Sequence, residues 1–132
     1  MEFLPIRLTP GTDLRRALEE TVGAQGPGSA FVVAGIGSLT RACLRYAGEA
    51  NEVELAGPLE ILSLSGSLGA SGAHLHLSVS DASGRVLGGH LGYGSTVRTT
   101  AEILLAPLPG WSLTRELDAA TGYRELVVRR RG

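Results

Sequence analysis

After its first thirty residues the chain reads as a succession of short apolar or alternating runs separated by turn residues. Only one stretch before them has helical periodicity. Leu14, Ala17, Leu18 and Val22 share one helical stripe, and Arg15, Arg16, Glu19 and Glu20 are left to face water. Thr12 or Asp13 stands where the helix needs its cap. Residues 5–9 precede it as a strand, and residues 23–28 end it in a loop. Residues 30–36 are continuously apolar and predict a buried strand, in which Gly35 and Gly37 permit a bend or a close backbone approach. Residues 41–47 and 52–55 read as strands joined by a turn. Further strands are expected at 59–65, in a hairpin around 74–91, at 96–105, and in a closing hairpin pairing 111–117 with 123–129. Many short strands with regular turns and one helix predict a compact, mostly antiparallel α+β fold, with residues 1–132 as a single domain.

The 74–91 hairpin carries the most chemistry. His74, His76 and His90 are the chain's 3 histidines, and all fall inside it. Leu75, Leu77 and Val79 alternate with His74, His76, Ser78 and Ser80. Asp81-Ala82-Ser83-Gly84 reads as a type I turn followed by a left-handed glycine. That loop pairs Asp81 with Arg85, which sets Val79 opposite Leu87, Leu77 opposite Gly89 and Leu75 opposite Leu91. On the other face His76 meets His90 and His74 meets Gly92. A loop one residue different would turn His90 to the wrong side. Gly88 and Gly92 beside His90 are expected to leave room for substrate or water. Three neutral imidazoles with an open fourth position suit a divalent metal, and zinc is the default for a histidine-only set. The ordinary alternative is three surface histidines brought together by chance.

Composition narrows the function. A net charge of −1 with 12 basic residues, every one of them arginine, argues against a strong sequence-independent grip on DNA, and suggests a GC-rich bacterial source. The one basic run, Arg129-Arg130-Arg131, reads as a frayed, solvated tail. Aromatic residues are 5%, too few for a base-stacking platform. The single Cys43 excludes an intrachain disulfide and reads as packing. No signal peptide is visible in Met1-Glu2-Phe3-Leu4-Pro5, and no apolar run is long enough to span a bilayer, so the expectation is a cytoplasmic protein without membrane association.

Three further residues are weak catalytic candidates. Glu102 and Arg98 share one strand face directly after the hairpin, where a carboxylate beside a metal could act as a base; an ordinary exposed face of mixed charge is the favoured reading. Glu60 interrupts an apolar strand. It is open to three readings: an arginine partner at a subunit contact, a group orienting a histidine, or an exposed strand end. Gly35-Ile36-Gly37-Ser38 lacks the lysine of a phosphate loop, and Ser65-Gly66-Ser67 lacks a nucleophile elbow.

Several segments together resemble the plant-and-prokaryote-conserved (PPC) domain. They are Ala34-Gly35-Ile36-Gly37-Ser38-Leu39, the run from Leu59-Glu60-Ile61-Leu62 to Ser67, the histidine hairpin, Thr99-Thr100-Ala101-Glu102 and Thr121-Gly122-Tyr123-Arg124. The resemblance implies an α+β domain assembled as a homotrimer, with a metal, usually taken as zinc, on His74, His76 and His90. Plant members use an added AT-hook to bind DNA; this chain has no Arg-Gly-Arg-Pro segment, so direct DNA binding is expected to be weak or absent. The family's Arg-Phe before the strand glutamate is Pro58-Leu59 here. The histidine set also resembles the zinc site of acetolactate decarboxylase, a likeness of chemistry and not of substrate. Two functions therefore stand open: a trimeric metal-binding domain with a binding or regulatory role, by family association a DNA-binding protein, or a zinc lyase or hydrolase acting on a small molecule at the metal.

Overall fold

The computed structural model describes residues 2–24 and 28–132. Of the loop expected at 23–28, residues 25–27 lie outside the described residues, and Gly23 and Ala24 are helical. Among the described residues, eight strands and one helix follow one another as β1 (Leu4–Leu8), α1 (Leu14–Ala24), β2 (Ala30–Arg45), β3 (Val53–Gly69), β4 (Gly72–Ser80), β5 (Val86–Leu91), β6 (Thr96–Pro107), β7 (Trp111–Leu117) and β8 (Arg124–Arg130). Six strands form one antiparallel sheet in the order β1-β6-β2-β3-β4-β5, and the end of β2 also pairs with β5, which curls that part of the sheet into a ring. β7 and β8 form a separate two-stranded sheet. The α+β class is as expected.

Two long strands replace four expected short ones. β2 runs through the glycines at 35 and 37, and β3 runs through Gly57-Pro58, which is cis. These breaks act as bends and register shifts inside continuous strands. Gly37, at φ +150°, lies so close to Thr100 and Ala101 of β6 that a Cβ has no room. The Gly35–Ser38 segment is thus a strand packed on a strand.

The core lies between α1 and one face of the sheet. Asp13 caps the helix by accepting from the Arg16 amide at 3.0 Å, and Leu14, Leu18 and Val22 are buried against the sheet. The sheet contributes residues such as Leu39, Leu44, Leu75, Leu77, Val79 and Leu105.

Residues 30–36 are not buried on both sides, contrary to expectation: Ala30 and Val32 point into the core, whereas Phe31, Val33 and Ile36 are 40%, 51% and 56% exposed on the outer face. Arg15 and Glu19 also depart from expectation. They are half-buried, and they dock the helix on the hairpin instead of facing water. No helix among the described residues is long and apolar enough to cross a membrane.

Candidate metal centre

β4 and β5 pair in the register the loop demands: His76 with His90, Leu77 with Gly89, Ser78 with Gly88 and Val79 with Leu87. The turn is closed by the Asp81 amide donating to the Arg85 carbonyl at 3.0 Å and the Gly84 amide to the Asp81 carbonyl at 2.9 Å, with Gly84 at φ +82°. The Asp81 carboxylate accepts from the amides of Ser83 and Arg85, both at 2.9 Å, and from the Ser83 hydroxyl at 2.7 Å. These donors hold its pKa below the usual carboxylate range. With the turn fixed, period-two alternation does the rest. Leu75, Leu77, Val79 and Leu91 enter the core, and the histidines emerge on the opposite face.

Neighbouring elements tighten the base of the site. On β3, Ser65 pairs with His76 and Ser67 with His74. Between them Gly66, at φ +137°, brings β3 against the His74 carbonyl so closely that a Cβ there would collide with it. At the open end of the hairpin, Arg15 donates to the carbonyls of Leu91 (3.2 Å) and Ala73 (3.3 Å), while Glu19 accepts from the Ala73 amide (2.9 Å) and the Tyr93 hydroxyl (2.7 Å). Backbone groups left over where the two strands part are thereby satisfied.

The three imidazoles converge. Ring centroids lie 4.6 Å (His76–His90), 5.0 Å (His74–His90) and 5.3 Å (His74–His76) apart, and one nitrogen from each falls within 4.8 Å of the others. Nitrogens around one tetrahedral ion at about 2.0–2.1 Å sit roughly 3.4 Å apart, so modest ring rotations complete the geometry. Burial lowers the pKa of His74 and His90. Arg115 and the other two histidines lower His74 further, and Arg45, His76 and Arg15 do the same to His90. The neutral imidazole, the metal-binding form, is favoured. The donor set fits a divalent ion.

The other candidates lie elsewhere. Glu102 and Arg98 are exposed on β6, and β2 separates that strand from β5. Glu102 pairs with Arg7 and Ile36; Ile36 is nine positions along β2 from Arg45, the partner of His90, which is roughly 30 Å of strand. Glu102 and Arg98 are both exposed, and the group of ligating side chains that converges is His74, His76 and His90. Glu60 is exposed and pairs with Ser80 and Ser38, five positions along β3 from Ser65 or roughly 16 Å, too far to orient a histidine. The expected space at Gly92 is taken by the Glu52 carboxylate, which a side chain there would strike.

Sequence reasoning missed two residues beside the site. Arg45 is the cross-strand partner of His90 on β2, and Arg115 of β7 donates to Ser67 Oγ at 3.0 Å, beside His74. Only long-range pairing reveals either. Nor is the basic run a frayed tail. Arg129 meets Glu116 at 2.6 Å, Arg130 stacks 4.4 Å over Trp111, and Arg131 donates to the Trp111 carbonyl.

Residues 1–109 match the Plants and Prokaryotes Conserved (PCC) domain family. A hypothetical protein from Salmonella cholerae-suis has the same fold with a TM-score of 0.94 and 41% identity, over 98% of this chain and 94% of that one. A metal-containing protein from Archaeoglobus fulgidus superposes with a TM-score of 0.82 at 30% identity, over 96% of this chain and 94% of that one. The bifunctional protein GlmU from a Synechococcus strain is 46% identical over 128 residues, which are 97% of this chain and 20% of GlmU. The chain thus spans about a fifth of the length of the curated relatives it matches.

Proposed function

The chain belongs to the Plants and Prokaryotes Conserved domain family, and from that premise we propose that it is a metal-binding domain in which His74, His76 and His90 hold one divalent ion, zinc by default. The convergence of three ligating nitrogens within 4.8 Å carries this reading. A metal-containing relative at 30% identity supports it. Three ligands leave a fourth position for a small molecule, and an ion there would supply a Lewis acid. That is the chemistry of the second reading, a lyase or hydrolase with a site like that of acetolactate decarboxylase. Within the chain none of Glu102, Arg98 and Glu60 stands beside the histidines to act as its base, so the binding role is preferred. Elemental analysis of the purified protein tests the proposal. About one equivalent of zinc or a similar ion is expected, and its loss in His76→Ala. Full retention in that variant contradicts the assignment.

The same reading takes the domain as a homotrimer. Phe31, Val33, Ile36 and Leu62 form an exposed apolar patch on the outer face, and Phe31 is paired with Ser67, the neighbour of His74. Such a patch calls for cover, and the metal centre would lie at its margin. Light scattering is expected to give three times the 13.7 kDa chain mass; a monomer at micromolar concentration contradicts it. Residues 1–132 are read as one domain, since β7 lays Leu113 against Gly69 of β3. A single protease-resistant core reaching β8 is the expected result of limited digestion. Residence is taken as cytoplasmic, to be checked by cell fractionation.

Direct DNA binding, the family's association in plants, is expected to be weak. The net charge is −1, and Arg129 and Arg130 of the one basic run are engaged with Glu116 and Trp111. Tight, sequence-selective duplex binding at physiological salt would reverse this.

A further inference from the structure

Resting on the metal reading above, we infer that the centre takes a small oxyanion, with carboxylate or phosphate oxygens held between Arg115 and Arg45. The two guanidinium groups come from different strands. Arg45 extends from the end of β2 beside its strand partner His90. Arg115 reaches down from β7 to Ser67, the strand partner of His74. Cross-strand partners on one face have Cβ atoms about 5 Å apart, so Arg45 stands beside His90, and the Arg115 guanidinium is held on the strand neighbour of His74.

Neither arginine has a carboxylate partner among the described residues. The ion pairs there join Arg15 to Glu19, Arg41 to Glu54, Arg85 to Asp81 and Arg129 to Glu116. Arg115 spends one donor on Ser67 Oγ, and Arg45 one on the Glu49 carbonyl at 3.1 Å, out of five N–H groups on each guanidinium. The remaining donors are available to a ligand. Glu125 raises the pKa of His74, and its influence is smaller than that of Arg115. Two unneutralised guanidinium groups beside a divalent ion repel it and each other unless an anion bridges them. The planar fork of arginine matches the oxygens of a carboxylate or a phosphate. Arg115 stands on the β7–β8 hairpin, beyond residues 1–109 that match the family, so one half of the grip comes from outside the matched region.

Calorimetric titration of the zinc-loaded protein with inorganic phosphate, acetate and neutral imidazole, after its zinc content has been measured, tests this. At least one anion should bind the wild type. Arg115→Gln and Arg45→Gln should each weaken it roughly tenfold or more, the usual worth of one charge-assisted contact. Zinc content and imidazole affinity should stay unchanged. A preference for acetate identifies a carboxylate ligand, and a preference for phosphate identifies a phosphate ligand. Unchanged anion affinity in both variants, imidazole weakened in step with the anion, or no anion binding by the wild type overturns the inference. A chain that retains no zinc fails before titration, and that result refutes the metal reading instead.

Discussion

The β4–β5 and β7–β8 hairpins are built alike and placed differently. Each is antiparallel and turns on an aspartate, Asp81 or Asp118, with a positive-φ glycine, Gly84 at +82° or Gly122 at +77°. The first hairpin sends Leu75, Leu77, Val79 and Leu91 into the core and shares backbone pairing with β3 and β2. The second buries Leu113 but leaves Leu117, Tyr123 and Val128 more than half exposed. Its ties to the rest of the molecule include the close contact of Leu113 with Gly69 and hydrogen bonds from Arg115 to Ser67 and Ser71. A turn motif therefore fixes register in both, whereas burial decides whether the face it aims is held rigidly. The histidines stand on the rigid hairpin. Arg115 stands on the lightly attached one, held by its hydrogen bonds to Ser67 and Ser71.

The sharpest way to break this comparison is to remove one leucine from each hairpin. Leu77→Ala is expected to destabilise the protein by about 2–5 kcal/mol in urea unfolding, through lost burial and the cavity left behind. Leu117→Ala, 73% exposed, is expected to stay within about 0.5 kcal/mol. Equal losses would mean that the second hairpin is held as firmly as the first.

A smaller effect should come from pH. His74 and His90 both have pKa values lowered from 6.5. The unfolded chain then binds more protons than the folded one just below that value. Their contribution to apo-protein stability is present above about pH 6.5 and lost as pH falls through the lowered values. Metal should leave over the same range, since protons compete for the same nitrogens. Urea midpoints of the metal-free protein at pH 7.5 and 5 should differ in that direction, and by less in His90→Gln. An unchanged difference in that variant would place the titrating groups elsewhere.

The histidine hairpin is legible in the sequence because its determinants are local. Loop length, the left-handed glycine and period-two leucines together allow one register. The stripe of α1 and its Asp13 cap are legible for the same reason. The long strands are not. Gly37 and Gly57-Pro58 look like strand ends, and only contact with β6 and the curl of the sheet make them bends. Arg45 and Arg115 join the site through pairings between residues 45 and 90 and between residues 115 and 67, which no local pattern encodes. Phe31 and Ile36 mislead because an apolar residue on an outer face reads as core.

Diffraction from crystals of the purified protein at wavelengths on either side of the zinc absorption edge bears most directly on the central claim. The account predicts one strong anomalous peak on the outer face of β4–β5, about 2.0–2.1 Å from a nitrogen of each of His74, His76 and His90. Metal-loaded crystals with no peak between the three rings, or with the peak bound elsewhere on the chain, would contradict it.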